Sequence, residues 1–279
     1  MSGTGSGPGD LAAIVAALRR AGCVFAEQEA ELLSAASEAP GELERLVRER
    51  VGGTPLEHLL GWVEFRGRRI EVGPGVFVPR RRSALLVDQA IDHALAAAYR
   101  RCVVVDLCCG SGALGAAAAS ALTEAGIAVE LVAADIDPVA VRCARRNLEP
   151  LGGTVFRGDL CAALPSASAG RIDLLLANIP YVPTAMISRM PPEARDYEPR
   201  AALDGGIDGL DVLRRVAGAA PVWLAPGGRL FVEISGPQRD PAQRIIEREG
   251  LSPSAVCSPE DGTVVVTGTR DHSSTYPHP

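Results

Sequence analysis

The chain has 279 residues, 47% hydrophobic but only 4% aromatic, enough for one large core of Ala, Val and Leu with a smaller unit attached. Its formal net charge is −6 and all 28 basic side chains are Arg; we read the Arg as a bias towards GC-rich codons, and the acidic balance speaks against a nucleic-acid binder. Seven Cys without a Cys-x-x-Cys pair and four His at no ligand spacing exclude a disulfide framework and a metal site, and point to reduced thiols in a cytoplasmic protein; no apolar run reaches the length of a membrane span.

Residues 1–9 are Gly/Ser-rich and read as a disordered tail. Leu11, Ile14, Val15 and Leu18 then fall at helical spacing, with Asp10 as a cap. Further helices are expected over 27–38 and 41–50, punctuated by Pro40 and Gly52-Gly53. Residues 10–60 therefore form a small N-terminal helical domain, below the size that usually stands alone and so expected to pack on the larger C-terminal unit. Residues 61–80 read as a linker: 62–65 and 69–72 alternate in polarity around Arg66-Gly67-Arg68, which suggests a hairpin. From 81 to 270 the pattern alternates between helix and strand. A helix is expected over 83–98, strands over 102–107, 130–134, 154–157, 172–177, 229–234 and 264–268, and helices over 113–122, 138–147 and 210–224. Such alternation implies an α/β fold, a parallel sheet covered on both faces. Residues 271–279 look like a loose tail.

The strand ends carry the chemistry. After Val103-Val104-Val105-Asp106-Leu107 comes Cys108-Cys109-Gly110-Ser111-Gly112 and then a helix. Gly110 and Gly112 let a ligand approach the backbone, and the helix start supplies free N–H groups. The spacing is not the dinucleotide fingerprint, and Asp106 would repel a pyrophosphate. It suits a positive centre such as the sulfonium of S-adenosylmethionine. The next strand ends in Asp135, whose carboxylate can accept both hydroxyls of a ribose. Ile136-Asp137-Pro138 then starts a helix, with Asp137 as its cap. Asp159, followed by Leu160, lies where an adenine edge is expected. After the fourth strand comes Asn178-Ile179-Pro180-Tyr181. Alone this tetrapeptide is an ordinary Pro turn. At the carboxyl end of a sheet strand it offers an amide oxygen, a backbone carbonyl and a ring face, the means to grip a planar nitrogen. The ordered acids followed by Asn-x-Pro-Tyr identify a methyl-transfer enzyme.

Through these blocks the chain resembles the release-factor glutamine methyltransferase family from about 55 to 268. The resemblance also rests on Pro79-Arg80, on Glu198-Pro199-Arg200-Ala201-Ala202-Leu203-Asp204-Gly205-Gly206-Ile207-Asp208-Gly209-Leu210, and on Glu233-Ile234-Ser235-Gly236-Pro237-Gln238. The late blocks separate it from DNA adenine methyltransferases, which share the Asn-Pro-Pro-Tyr loop. Three departures stand out: Ile179 where the family has Pro, Cys108-Cys109 where it has Gly and Thr, and Arg81-Arg82-Ser83 where it has Pro and two acids around Thr. The resemblance implies a Rossmann-like class I S-adenosylmethionine-dependent methyltransferase sheet, with a helical domain that helps present a protein substrate. The implied acceptor is a protein glutamine, with release factors as the leading partner; the alternatives are a small-molecule amide or amine, or a nucleic-acid base amine. The cofactor would meet Asp106, Cys108, Cys109, Gly110, Ser111, Gly112, Asp135, Ile136, Asp159, Leu160 and Asn178. The acceptor would meet Asn178, Ile179, Pro180 and Tyr181.

Overall fold

The computed structural model describes residues 8–272, so the tails expected at either end fall largely outside it. Helices α1 (Pro8–Arg20), α2 (Ala26–Ala36), α3 (Glu42–Val51) and α4 (Leu56–Leu60) come first. Asp10 lies inside α1 and is not its cap; the helix begins at Pro8, whose fixed φ suits a first turn. Leu18, Ala26, Ala30, Leu33 and Leu46 form a core of their own, with Leu11, Ile14 and Val15 packed beside them. One buried cation ties this layer to the rest: the Arg50 guanidinium bonds Glu29 at 2.6 Å and Glu193 at 2.6 Å. Beside it the Tyr197 hydroxyl donates to the Gly52 carbonyl at 2.9 Å.

Strands β1 (Trp62–Phe65) and β2 (Arg68–Glu71) form the expected antiparallel hairpin. Its two-residue turn has positive φ at both Arg66 and Gly67, the mirror-image geometry that matches strand twist. Next come α5 (Ala84–Ala96), β3 (Arg101–Leu107), α6 (Ala113–Glu124), β4 (Ala128–Asp135), α7 (Pro138–Leu148), β5 (Thr154–Arg157) and β6 (Ile172–Ala177). The chain ends with α8 (Pro192–Tyr197), α9 (Asp211–Trp223), β7 (Leu224–Ile234), α10 (Arg239–Arg248), β8 (Ser252–Cys257) and β9 (Val264–Thr269).

The seven-stranded sheet has the order β5-β4-β3-β6-β7-β9-β8, parallel from β5 to β7, with β9 antiparallel to both neighbours. Alternate residues of each strand feed opposite faces. Val104, Leu174 and Leu176 pack with α5 and α6, while Val103, Val105, Leu107 and Leu175 pack with α9 and α10. Both faces are buried, which is why the central strands read as continuous apolar runs. The chain runs outward from β3 through β4 to β5 and then returns to β6 on the other side of β3. That reversal opens a crevice at the carboxyl ends of β3 and β6, the place where such sheets bind ligands.

Candidate active site

A cavity of about 380 Å³ occupies this crevice. Its first wall is the turn after β3. The Asp106 carboxylate is buried and accepts the Gly115 N–H at 2.8 Å, so it pins the start of α6. A side chain at position 115 would crowd that oxygen, with Cβ only 3.0 Å away. Burial, reinforced by nearby Asp135 and opposed by the Gly115 bond, pushes the Asp106 carboxyl up to about 8. Asp135 closes the wall from β4: one carboxylate oxygen accepts from Gly110 N–H and the other from Asp137 N–H, both at 2.9 Å. Asp137 in turn caps α7 through Val139 N–H. Asn147 of α7 donates to the Ser111 carbonyl at 2.8 Å and exchanges bonds with Glu71 of the hairpin, so the turn is fastened from outside as well.

Cys108 adopts φ +53°, a left-handed conformation that costs a side-chain-bearing residue about 1–2 kcal/mol. Burial, and then the nearby carboxylates, drive the Cys108 and Cys109 thiols well above their ordinary range, so both remain neutral filler. Leu160, also at positive φ, and exposed Ile136 both line the cavity. The Asp159 carboxylate is engaged by Arg215 of α9 at 2.5 Å.

The second wall follows β6. Asn178 places its Nδ2 within 3.4 Å of the fully buried Ser83 hydroxyl, while its Oδ1 has no hydrogen-bond partner among the described residues. The Ile179 side chain is buried in the core between β6 and α9, so the residue that replaces the family's Pro anchors the loop by packing. The Tyr181 hydroxyl donates to Glu233 Oε1 at 2.8 Å and accepts from Arg82 at 2.9 Å, and Arg82 Nε donates to the same Glu233 oxygen at 3.1 Å. Burial and the Glu233 carboxylate raise the phenol far above its ordinary value, so it stays protonated. The segment around α8 reaches the cavity through Met190 and Pro199 and is held down where Arg80 and Val78 N–H bond the buried Glu198 carboxylate.

Asp106, Cys108, Cys109, Gly110, Ser111, Asp135, Ile136, Asp159, Leu160, Asn178, Ile179, Pro180 and Tyr181 all line this cavity. Gly112 does not; a Cβ there would meet Leu148 at 2.9 Å, so its glycine serves helix packing at φ +79°. The sequence motifs do not single out Arg82, Ser83 and Glu233 as site residues. Arg82 and Ser83 belong to the departure from the family pattern and Glu233 to its late block, which was the available signal.

A sheet of this topology, with a glycine turn after β3, a carboxylate ending β4 and an Asn-led loop ending β6, defines a class I S-adenosylmethionine-dependent methyltransferase. The methyltransferase small domain model matches residues 70–189. The chain is 38% identical over 227 residues to the release factor glutamine methyltransferase of Geobacter sulfurreducens, covering 81% of this chain and 76% of that one. It is 35% identical over 241 residues to the enzyme of the same name from Mycolicibacterium smegmatis, covering 80% and 82%. It is also 31% identical over 246 residues to a 4-amino-L-phenylalanine/4-methylamino-L-phenylalanine methyltransferase of Streptomyces pristinaespiralis, covering 87% and 82%. In fold it is similar to a ribosomal protein L11 methylase from Lactobacillus delbrueckii subsp. bulgaricus, with TM-score 0.50 and 18% identity over 73% of this chain and 86% of that one. The chain belongs to the release factor glutamine methyltransferase family. Among the described residues no helix is long and apolar enough to cross a membrane, and no cluster of metal-ligating side chains is present.

Proposed function

We propose that this enzyme methylates the side-chain amide nitrogen of a glutamine in a peptide chain release factor. The observation that carries this reading is Asn178: its Nδ2 faces Ser83, its Oδ1 is free to accept, and it shares one cavity with Asp135 and Gly110. The names of the relatives support the choice of acceptor.

The first wall fits S-adenosylmethionine. Nothing stands within 4 Å of where a Gly110 Cβ would be, leaving room for close backbone approach. Each Asp135 oxygen holds one backbone N–H and keeps a lone pair for a ribose hydroxyl. Ile136 and Leu160 offer apolar surface for an adenine, and Asp106 a carboxylate for a positive centre. Bound there, the cofactor supplies an electrophilic methyl group on a positively charged sulfur.

The second wall must make a poor nucleophile react, because an amide lone pair is delocalised into its carbonyl. Asn178 Oδ1 and the Ile179 carbonyl accept the two N–H bonds, which points the lone pair across the cavity and stabilises positive charge growing on nitrogen. Pro180 stiffens the turn, and Tyr181 lays its ring against the amide. The proton lost from nitrogen passes to water, so no base is needed, and the raised Tyr181 phenol is not one.

A labelled-methyl assay on a purified release factor, with the modified residue located by mass spectrometry, tests this. Label on a glutamine Nε2 is expected, and replacement of that glutamine by asparagine should abolish it, since the nitrogen no longer reaches the methyl. Unlabelled release factor, or label on another atom, overturns the reading. The 4-amino-L-phenylalanine methyltransferase relative favours one second reading, an aromatic amine acceptor, so 4-amino-L-phenylalanine belongs in the same assay.

A further inference from the structure

Gln238 lies outside the residues that wall the cavity, yet it holds the acceptor loop. It ends the short turn Gly236–Gln238 after β7 and is buried. Its carboxamide uses every bonding position. Nε2 donates to the Tyr181 carbonyl and to the Asp208 carbonyl, both at 2.9 Å, while Oε1 accepts from the Ser235 N–H at 3.1 Å and from the Ser235 hydroxyl at 2.7 Å. Only a carboxamide offers two donors and an acceptor in this arrangement.

The surroundings leave no slack. A Cβ on Gly209 would stand 2.2 Å from the Tyr181 carbonyl oxygen and 2.3 Å from Gln238 Nε2. A Cβ on Gly205 would stand 2.7 Å from the Pro180 oxygen. The 205–209 turn therefore packs its bare backbone on Pro180–Tyr181, with the Gln238 amide bridging the two carbonyls. Five residues upstream, Glu233 takes the Tyr181 hydroxyl. One stretch, 233–238, thus grips Tyr181 at its carbonyl and at its hydroxyl. Between the gripped carbonyl and the Ile179 carbonyl stand few soft torsions, because Pro180 fixes its own φ and the peptide units are planar.

We infer that Gln238 is a positioning residue for methyl transfer: by bridging the Tyr181 and Asp208 carbonyls it sets the pose of the Asn178–Tyr181 loop, and through it of the acceptor amide. The inference rests on the reading that this loop holds the acceptor. Misplacing an acceptor by about 1 Å costs on the order of a hundredfold in rate.

The test uses the full chain, S-adenosylmethionine and a release factor. Gln238→Met keeps the bulk and removes the bridge. Its kcat should fall by about thirtyfold or more, while cofactor Kd by calorimetry stays within about twofold and the amides of Asn178, Ile179, Tyr181 and Val182 exchange hydrogen faster. Should that variant misfold, Ser235→Ala removes only the hydroxyl that orients the carboxamide, and a loss of about fivefold in kcat is expected. In Asn178→Ala, adding Gln238→Met should cost little more, because both act through one contact. Unchanged kcat and unchanged exchange in folded Gln238→Met, beside a strong loss in Asn178→Ala, would overturn the role of Gln238 and leave the loop's role standing. Normal kcat in Asn178→Ala would remove the loop reading itself. The exchange readout needs no acceptor, so unaltered exchange at Asn178, Ile179, Tyr181 and Val182 sinks the positioning role whichever acceptor the enzyme takes.

Discussion

The two walls of the cavity are built in opposite ways. The cofactor wall comes from consecutive strand ends, where Asp106 and Asp135 sit at the tips of β3 and β4 and each secures the adjoining turn through backbone N–H groups. The acceptor wall is assembled from separated stretches: Arg82 meets Glu233, and Tyr181 meets both, across gaps of 151, 99 and 52 positions. A wall made of local turns is specified by local sequence. A wall made of side chains from afar depends on the whole sheet being in register.

The comparison breaks most readily at Asn178. Asn178→Ala should lower single-turnover methylation by about a hundredfold or more, the scale of one preorganised polar contact, and leave cofactor affinity nearly intact. Equal losses in both would mean that the walls are not separate.

Asp135→Ala should show the opposite pattern, weakening cofactor binding by about 1.5–3 kcal/mol in calorimetry with turnover recovered at saturating cofactor. Wild-type affinity would remove Asp135 from the cofactor wall.

A third effect is read by pH. Burial holds the Asp106 carboxyl at about 8; the positive centre proposed to lie beside it would lower that value, so binding should release a proton. Cofactor affinity should therefore weaken as pH falls through about 8, by up to about tenfold per unit, and Asp106→Asn should flatten the profile. Without cofactor the sign reverses for stability. The folded state holds this proton more tightly than the unfolded chain, so stability falls as pH rises towards about 8. Calorimetry in buffers of different ionisation enthalpy counts the proton.

The smallest effect sits at Cys108. Cys108→Gly relieves the left-handed strain at φ +53°, against a modest gain in unfolded-state entropy, for a net stabilisation of about 1 kcal/mol in thermal melts. Destabilisation would show that its thiol packs for more than filler.

Legibility followed the same division. The parallel strands were visible because burial on both faces makes them apolar throughout, and the acids at their tips stand next to those runs. Edge strand β8 was not, since Ser252-Pro253-Ser254 reads as a loop and its side chains are half solvated; an edge is where a sheet tolerates Pro. Helix α10 was also hidden, with only Ala242 and Ile246 buried among charged residues and a Pro in its first turn. α4 is too short to show a period. At the site, Asn178 to Tyr181 stood out as a motif. Nothing local to Arg82 or Glu233 announces that they share a phenol, because that meeting is a property of the folded sheet.

The buried Arg50, facing Glu29 from its own layer and Glu193 from α8, bears on how this enzyme can be recombined. A chimera that grafts the first helices of a relative onto this sheet would set a foreign surface against Glu193 and Tyr197. Unless position 50 of the graft brings a cation of equal reach, the graft loses the ion pair to the half-exposed Glu193, the link that ties the helical layer to this segment. The crossover point for such engineering therefore lies not at the hairpin, where the chain changes texture, but wherever residues 29, 50, 193 and 197 can be transplanted as one set.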